Sequence, residues 1–213
     1  MKIGIDIRGY RDDGAYGSFV LTFTKKLIAS DTQNSYHIYT DQENTSLLAG
    51  EITVTHYKKT NFFHQKSFKK ILESGKLAFV VFFDEDIPSH LSIEYYMFVE
   101  SLTKLFFPSG SFLQKLFFQK KITSALTDAK KVLVFDSSTS RELNERLNVS
   151  EYKIEKISPF FGKHVFEKKD DSLKLDIKSK HNIKGEYMIY DVGANKHDNF
   201  ERALETFQKL IKK

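Results

Sequence analysis

The sequence runs to 213 residues with a formal net charge of +5 and no cysteine, which excludes disulfides, thiolate metal sites and cysteine nucleophiles. Hydrophobic residues make up 40% of the chain, enough for a core without covalent staples, yet no window approaches the ~20 apolar residues of a membrane span. The small basic excess comes without a nucleic-acid-binding motif, so it argues against DNA or RNA and suits a different anionic partner. Met1 leads straight into a strand-like segment rather than a secretory leader, so the expected location is the cytoplasm, with peripheral attachment at the inner membrane surface as an option. Two features are unusual: 20 phenylalanines with no tryptophan, and a length between one ordinary domain and two.

In chain order, Ile3–Ile7 is short, β-branched and bounded by Arg8 and Gly9, as a strand should be. A polar loop from Gly9 to Gly17 follows. Ser18 is a candidate cap for a helix whose apolar positions Phe19, Val20, Phe23, Leu27 and Ile28 share one face. Tyr36–Thr40 and Ile52–Tyr57 are strand candidates, and Ser67–Ser74 a short helix ending at Gly75. Leu77–Phe83 is a continuous apolar run, the signature of a strand buried on both faces. Tyr95–Val99 is another strand. A long helix opens near Gly110 and runs to about Asp128, Val132–Phe135 is a strand, Ser137, Ser138 and Thr139 cap a helix through Leu147, and Ile154–Ile157 is a last strand. Alternating strands and helices with apolar strands predict an α/β fold, a Rossmann-like parallel sheet flanked by helices. Ligands of such sheets sit at the carboxyl ends of the strands. That places the loops after Ile7, Phe83, Val99, Phe135 and Ile157 on the functional edge.

Composition shifts at Glu167. Residues 167–184 read as a charged linker; beyond it, Tyr187–Val192 reads as a strand, Gly193–Lys196 as a turn and Asn199–Lys212 as an amphipathic helix. One strand and one helix cannot bury a core alone, so 185–213 is expected to pack on the first domain, on another chain or on a continuation of the second domain.

Several residues carry candidate chemistry. The Gly9–Ser18 loop ends a strand and opens a helix, a geometry that offers backbone N–H groups to an anion; it contains neither a dinucleotide fingerprint nor a P-loop, and an ordinary connection is the alternative. Asp84, Glu85 and Asp86 follow the most apolar strand, where they suit a divalent cation, acid–base chemistry or a solvated turn. Glu100, next to Ser101 at the end of Tyr95–Val99, is placed for general-base work if the site is partly dry; Asp136 stands similarly after Phe135. The histidines show no metal-ligand spacing, and no serine sits in a nucleophile elbow. From Leu105 to Lys121, aromatics and lysines interleave at helical spacing, as in a helix lying on an anionic membrane or a core helix with its lysines in water.

Five ordered matches, the first a strand with its following loop, resemble glycosyltransferase family 4, specifically the N-terminal half of a GT-B-fold enzyme. Ile3-Gly4-Ile5-Asp6-Ile7-Arg8 is similar to the family's opening strand, and Ala15-Tyr16-Gly17-Ser18-Phe19 to its glycine loop, with Ala15 in place of the first glycine. Met97 to Pro108 fits the register of a strand ending in His-Asp followed by Phe-Pro, with Glu100 and Ser101 replacing the His-Asp pair. Ala129 to Leu143 resembles a later strand–helix unit, with Asp136 replacing a serine, and Lys153 to Phe166 resembles the exit from the first domain. Tyr187 to Phe207 is similar to the first strand–helix unit of the second domain. There Asp198 stands where the family has a phosphate-facing lysine.

The resemblance implies a Rossmann-like acceptor-side domain over 1–166, a linker over 167–184, and over 185–213 the first βα unit of a donor-side domain truncated early. It implies transfer of a sugar from a nucleotide-sugar donor to a glycan or lipid-linked acceptor in cell-surface polysaccharide synthesis, with no metal or other cofactor. A second polypeptide or a dimer partner would cover the truncated domain. Glu100 would be catalytic. Gly14, Ala15, Tyr16, Gly17, Ser18, Ser101, Asp136 and Thr139 would bind substrate, and Gly193, Asn195 and Lys196 the donor. The replacements at Glu100, Ser101 and Asp198 equally suit a non-catalytic, degenerate binding or scaffold protein.

Overall fold

A computed structural model describes residues 1–11, 14–41, 52–57, 64–107, 111–159, 170–190 and 199–211. The chain divides into two compact units, Met1–Phe166 and Glu167–Lys213.

The first unit is a seven-stranded parallel sheet: β1 (Lys2–Asp6), β2 (Ser35–Thr40), β3 (Ile52–His56), β4 (Phe79–Phe82), β5 (Tyr95–Val99), β6 (Lys131–Val134) and β7 (Ile154–Lys156). Their spatial order is β3-β2-β1-β4-β5-β6-β7. The order reverses between β1 and β4, so the loops leaving these two strands diverge and open a crevice at the carboxyl edge. Register is continuous across the switch, with Ile3 opposite Phe79 and Asp6 opposite Phe82. The connecting helices are α1 (Ala15–Ser30), α2 (His64–Ser74), the short α3 (Thr103–Phe106), α4 (Phe112–Asp128) and α5 (Ser137–Leu147).

Both sheet faces are buried. Alternate residues along a strand point to opposite sides, so Val80, Phe82, Met97 and Val99 join one core with α2, α4 and α5, while Val81, Phe83, Phe98 and Leu133 join another with α1. Six of the phenylalanines pack in this second core: Phe19, Phe23, Phe79, Phe83, Phe98 and Phe135. Phe19 meets Phe135 edge-on at 4.8 Å between ring centres and Phe83 stacks on Phe98 at 4.7 Å, arrangements that suit the aromatic quadrupole. Phenylalanine needs no buried polar partner, unlike tryptophan, so it fills a dry core without a hydrogen-bond requirement.

Two helix starts differ from the sequence expectation. α1 begins at Ala15 with Gly14 as N-cap residue, which makes no side-chain cap bond. Ser18 is therefore buried inside the helix, its amide bonded to the Gly14 carbonyl at 2.9 Å. The extra turn exists because Gly17 lacks a Cβ: one placed there would lie 1.9 Å from the Arg11 carbonyl oxygen. α5 is capped by Asp136, whose carboxylate accepts from the Thr139 amide at 2.8 Å, rather than by Ser137, Ser138 or Thr139. A carboxylate one residue ahead reaches the free amides first, and the helix dipole favours its charge.

In the second unit the described elements are α6 (Asp171–Lys180) and α7 (Phe200–Leu210), and none of its described residues is buried. The stretch expected as linker thus contains a helix, capped by Asp170 accepting from the Ser172 amide. Its apolar residues Leu173, Leu175 and Ile177 recur at every second position, an alternation that resembles a strand more than a helix face. Tyr187–Tyr190, expected as strand, is not one; among the described residues of this unit no strand offers an edge to pair with. Asp191 and Val192 lie outside the described residues.

Beneath the switch point, Asp6 and Arg8 project to the same side of the extended chain and form a fully buried ion pair. The Arg8 guanidinium donates through Nε to Asp6 Oδ1 at 2.8 Å and through Nη2 to Oδ2 at 2.7 Å, and lies 3.5 Å above the Phe68 ring. Removing one partner strands a charge in a dry core. Arg8→Met is expected to cost about 3–5 kcal/mol in urea denaturation, and adding Asp6→Asn to recover about 2 kcal/mol or more of it; equal loss in single and double variants would show that the pair is not coupled.

Candidate functional site

At the carboxyl edge the sheet must end its hydrogen bonding. The Phe83 carbonyl, one residue past β4, accepts from the Tyr10 hydroxyl at 2.8 Å and the Tyr16 hydroxyl at 2.7 Å. The two rings meet edge-on at 5.5 Å. Tyr10 comes from the loop after β1 and Tyr16 from the first turn of α1, so one carbonyl ties both to the end of β4. Burial raises both phenol pKa values, with Asp84 adding to the effect on Tyr10 and Glu100 on Tyr16. The hydroxyls therefore stay protonated donors throughout the physiological range.

Beside these tyrosines is a cavity of about 140 Å³, walled by the ends of β4 and β5 and by α3 and α4. Tyr16, Asp84, Glu85, Glu100, Ser101 and Lys104 supply its polar lining. Glu100 follows the last residue of β5. Partial burial in this cavity raises its carboxyl pKa; Lys104 pulls the other way and Glu85 pushes further up. Lys104 itself is bonded to Glu85 at 3.0 Å. Glu100 is itself solvent-exposed at the rim of the cavity; partial desolvation on its cavity side, with one cation and one anion nearby, sets the basicity of its carboxylate.

The acidic run after β4 is divided among separate tasks. The Asp84 carboxylate accepts from the Asp86 amide at 2.8 Å, Glu85 holds Lys104, and Asp86 accepts from Gln65 at 2.7 Å and Lys121 at 3.1 Å. His64 Nε2 lies 3.3 Å from Asp86. Among the described residues, no group of three histidine, aspartate or glutamate side chains converges as a metal site would require. Turn capping and ion pairing explain the run.

Of the residues singled out from sequence, Tyr16, Asp84, Glu85, Glu100 and Ser101 come together around the cavity. The Ser101 hydroxyl oxygen accepts from the Thr103 amide at 3.2 Å and so begins α3. Gly14, Ala15, Gly17 and Ser18 do not line the cavity; Gly17 shapes the loop and Ser18 is buried. Asp136 and Thr139 also lie outside it and engage each other, the Thr139 hydroxyl donating to Asp136 Oδ2 at 2.8 Å. These bonds hold the Asp136 pKa below its ordinary value. Gly193, Asn195 and Lys196 lie outside the described residues. Tyr10 and Lys104 are additions that sequence reasoning did not single out: Tyr10 sits in a loop read for its glycines, and Lys104 is one turn beyond Glu100 on an element too short to show periodicity.

No family profile matches the chain, and no curated protein matches it by sequence. Solved structures do share its fold. Phytolacca americana UGT2, complexed with UDP-2fluoro-glucose and pterostilbene, superposes with a TM-score of 0.50 at 12% identity, over 82% of this chain and 56% of that one. A ugt transferase from Siraitia grosvenorii, in complex with UDP, gives 0.50 at 13% identity, over 84% and 55%. A glycosyltransferase from Rickettsia africae gives 0.49 at 12% identity, over 86% and 50%. The chain spans about half the length of these structures. The Rossmann-like parallel sheet is thus a fold found in glycosyltransferases of the GT-B type, and the likeness is one of fold.

Both tyrosines serve one acceptor, so their contributions are expected to be non-additive. Tyr10→Phe and Tyr16→Phe should each lower stability by about 1 kcal/mol, and the double variant should lose more than the sum, because only then is the Phe83 carbonyl left without a donor. Thermal denaturation of all four forms tests this; strict additivity would mean the shared acceptor is not what holds the loop.

Proposed function

We propose that the first unit is the acceptor-side domain of a GT-B-type glycosyltransferase and that Glu100 is the base for the acceptor hydroxyl. The observation that carries this reading is a carboxyl with raised pKa just past β5, exposed at the rim of the cavity beside the strand-order reversal. The fold places ligands at that edge, and the UDP and UDP-sugar in the complexes described above support a nucleotide sugar as donor. The acceptor O–H proton passes to Glu100 while its oxygen attacks the anomeric carbon. The bond from that carbon to the diphosphate oxygen breaks, and the nucleoside diphosphate leaves with the electron pair. General bases of this kind contribute roughly 10²–10⁴-fold. Lys104 stabilises the ionised base, and Tyr16 and Ser101 border the acceptor.

Charge developing on the diphosphate needs donors aimed at it. The reading assigns that task to a second Rossmann-like domain. Gly193, Asn195 and Lys196 are its expected contacts, supplied together with a further polypeptide or a partner copy. Family 4 membership, a glycan or lipid-linked acceptor, a role in cell-surface polysaccharide synthesis and a cytoplasmic location rest on the sequence resemblance. Among the described residues, no helix is long and apolar enough to cross a membrane.

A second reading is favoured by one observation. A cavity of about 140 Å³, with Tyr10 and Tyr16 in its wall, is smaller than the roughly 300 Å³ at the low end of small-molecule sites. That suits a degenerate, non-catalytic binding protein whose partner is another transferase.

Label transfer from a panel of nucleotide sugars to cell-envelope acceptors distinguishes the two, using the full chain with proteins that co-purify with it. The transferase reading expects transfer, and a loss of about a hundredfold or more in Glu100→Gln. Because the fold disfavours ionised Glu100, its charge costs stability as pH rises through the carboxylate range, and Glu100→Gln is expected to fold at least as well as the parent at pH 7. Transfer unaffected by Glu100→Gln, or a stable transferase complex without transfer, would overturn the catalytic reading.

A further inference from the structure

A helix packed on a sheet ordinarily turns its apolar residues inward. α4 does so in its second half, where Ile122, Ala125 and Leu126 are buried. Its first half is apolar on the opposite side as well: Phe112, Leu113, Leu116 and Phe117 are 77, 63, 51 and 70% exposed. At 100° per residue these four positions and Lys120 fall within an arc of roughly 140°. Phe107, just before the helix, is 65% exposed. A contiguous apolar patch of this kind marks an interaction surface.

Charge narrows the choice of partner. From Leu102 to Thr127 the sequence has four lysines and no acidic residue. Lys104 and Lys121 are paired with Glu85 and Asp86, while Lys115 and Lys120 have no ion pair among the described residues. A second copy seated symmetrically on this face would bring like-charged lysines together. An anionic bilayer satisfies both features: its acyl boundary takes up the aromatic and leucine side chains, and its headgroups meet the lysines, whose long stems let the ammonium groups reach the interface.

We propose that the solvent face of α4 docks the protein on an anionic lipid membrane, with Phe112, Leu113, Leu116 and Phe117 inserted at the interface and Lys115 and Lys120 facing the headgroups. The opposite face of the same helix supplies Ile122 and Leu126 to the cavity wall, so docking would set the cavity close to the bilayer surface. The inference rests on α4 alone and holds whether or not the protein transfers sugars.

Flotation of the full chain with phosphatidylcholine vesicles, with and without phosphatidylglycerol, tests it at low and high salt. The expected result is binding to phosphatidylglycerol vesicles at low salt that weakens as salt rises. Lys115→Gln with Lys120→Gln should lower the partition coefficient by roughly thirtyfold, and Phe112→Ser with Phe117→Ser by about tenfold or more. All four substitutions lie on the helix surface, and circular dichroism checks that each variant keeps its helix content. No flotation at low salt, equal binding to neutral vesicles, or a dimer in sedimentation that Phe112→Ser with Phe117→Ser dissociates would each overturn the proposal.

Discussion

A carbonyl that emerges at the end of a central strand has two lone pairs and no continuing ladder to fill them. At Phe83 both are taken by tyrosine hydroxyls, at 2.8 and 2.7 Å, and the carboxyl edge of the sheet is organised around that point. Tyr10 is drawn in from the β1 loop and Tyr16 from α1. The Tyr16 ring then stacks on Phe19 at 6.0 Å and meets Phe135 edge-on at 6.1 Å, which links the crevice to the aromatic core below. The cavity holding Glu100 is the space left beside this plug. The two phenols form one wall of that space.

The Asp6–Arg8 pair supports the same edge from the other face of β1. Asp6 ends β1 and Arg8 lies two residues beyond it, and the guanidinium is covered by Phe68. Its Nη1 makes no hydrogen bond among the described residues. Burying such a pair adds little net stability and penalises any arrangement that separates the partners. It fixes the end of β1, and so the path of the loop carrying Tyr10. Specificity of loop placement, more than bulk stability, is what this buried pair supplies.

The sheet was legible in the sequence because a parallel strand covered on both faces reads as an unbroken apolar run, as Leu77–Phe83 does, and because Tyr95–Val99 is bounded by polar residues on both sides. Helix starts were less legible. Ser18 has the chemistry of a cap but sits a turn inside α1, since the allowance for an earlier start comes from the close approach of Arg11 to Gly17, a tertiary contact. Asp136 and Thr139 look alike whether they bind a substrate or cap a helix, because both tasks need a short acceptor beside free amides. Tyr187–Tyr190 has the composition of a strand, but pairing is a property of neighbours rather than of the segment. Glu100 could be picked out as a strand-end carboxylate; its raised pKa could not, because it comes from cavity walls and from Glu85, which only the fold brings near.

The most direct measurement is the titration of Glu100 itself, followed by carboxyl ¹³C resonance in the intact chain and in Lys104→Met. A partly desolvated carboxyl, opposed by Lys104 and assisted by Glu85, should titrate above the ordinary 4.5, and move further up when the ammonium is removed. A titration at or below 4.5, or one indifferent to Lys104, would mean that Glu100 stands in water, and the case for it as the base at this crevice would fail.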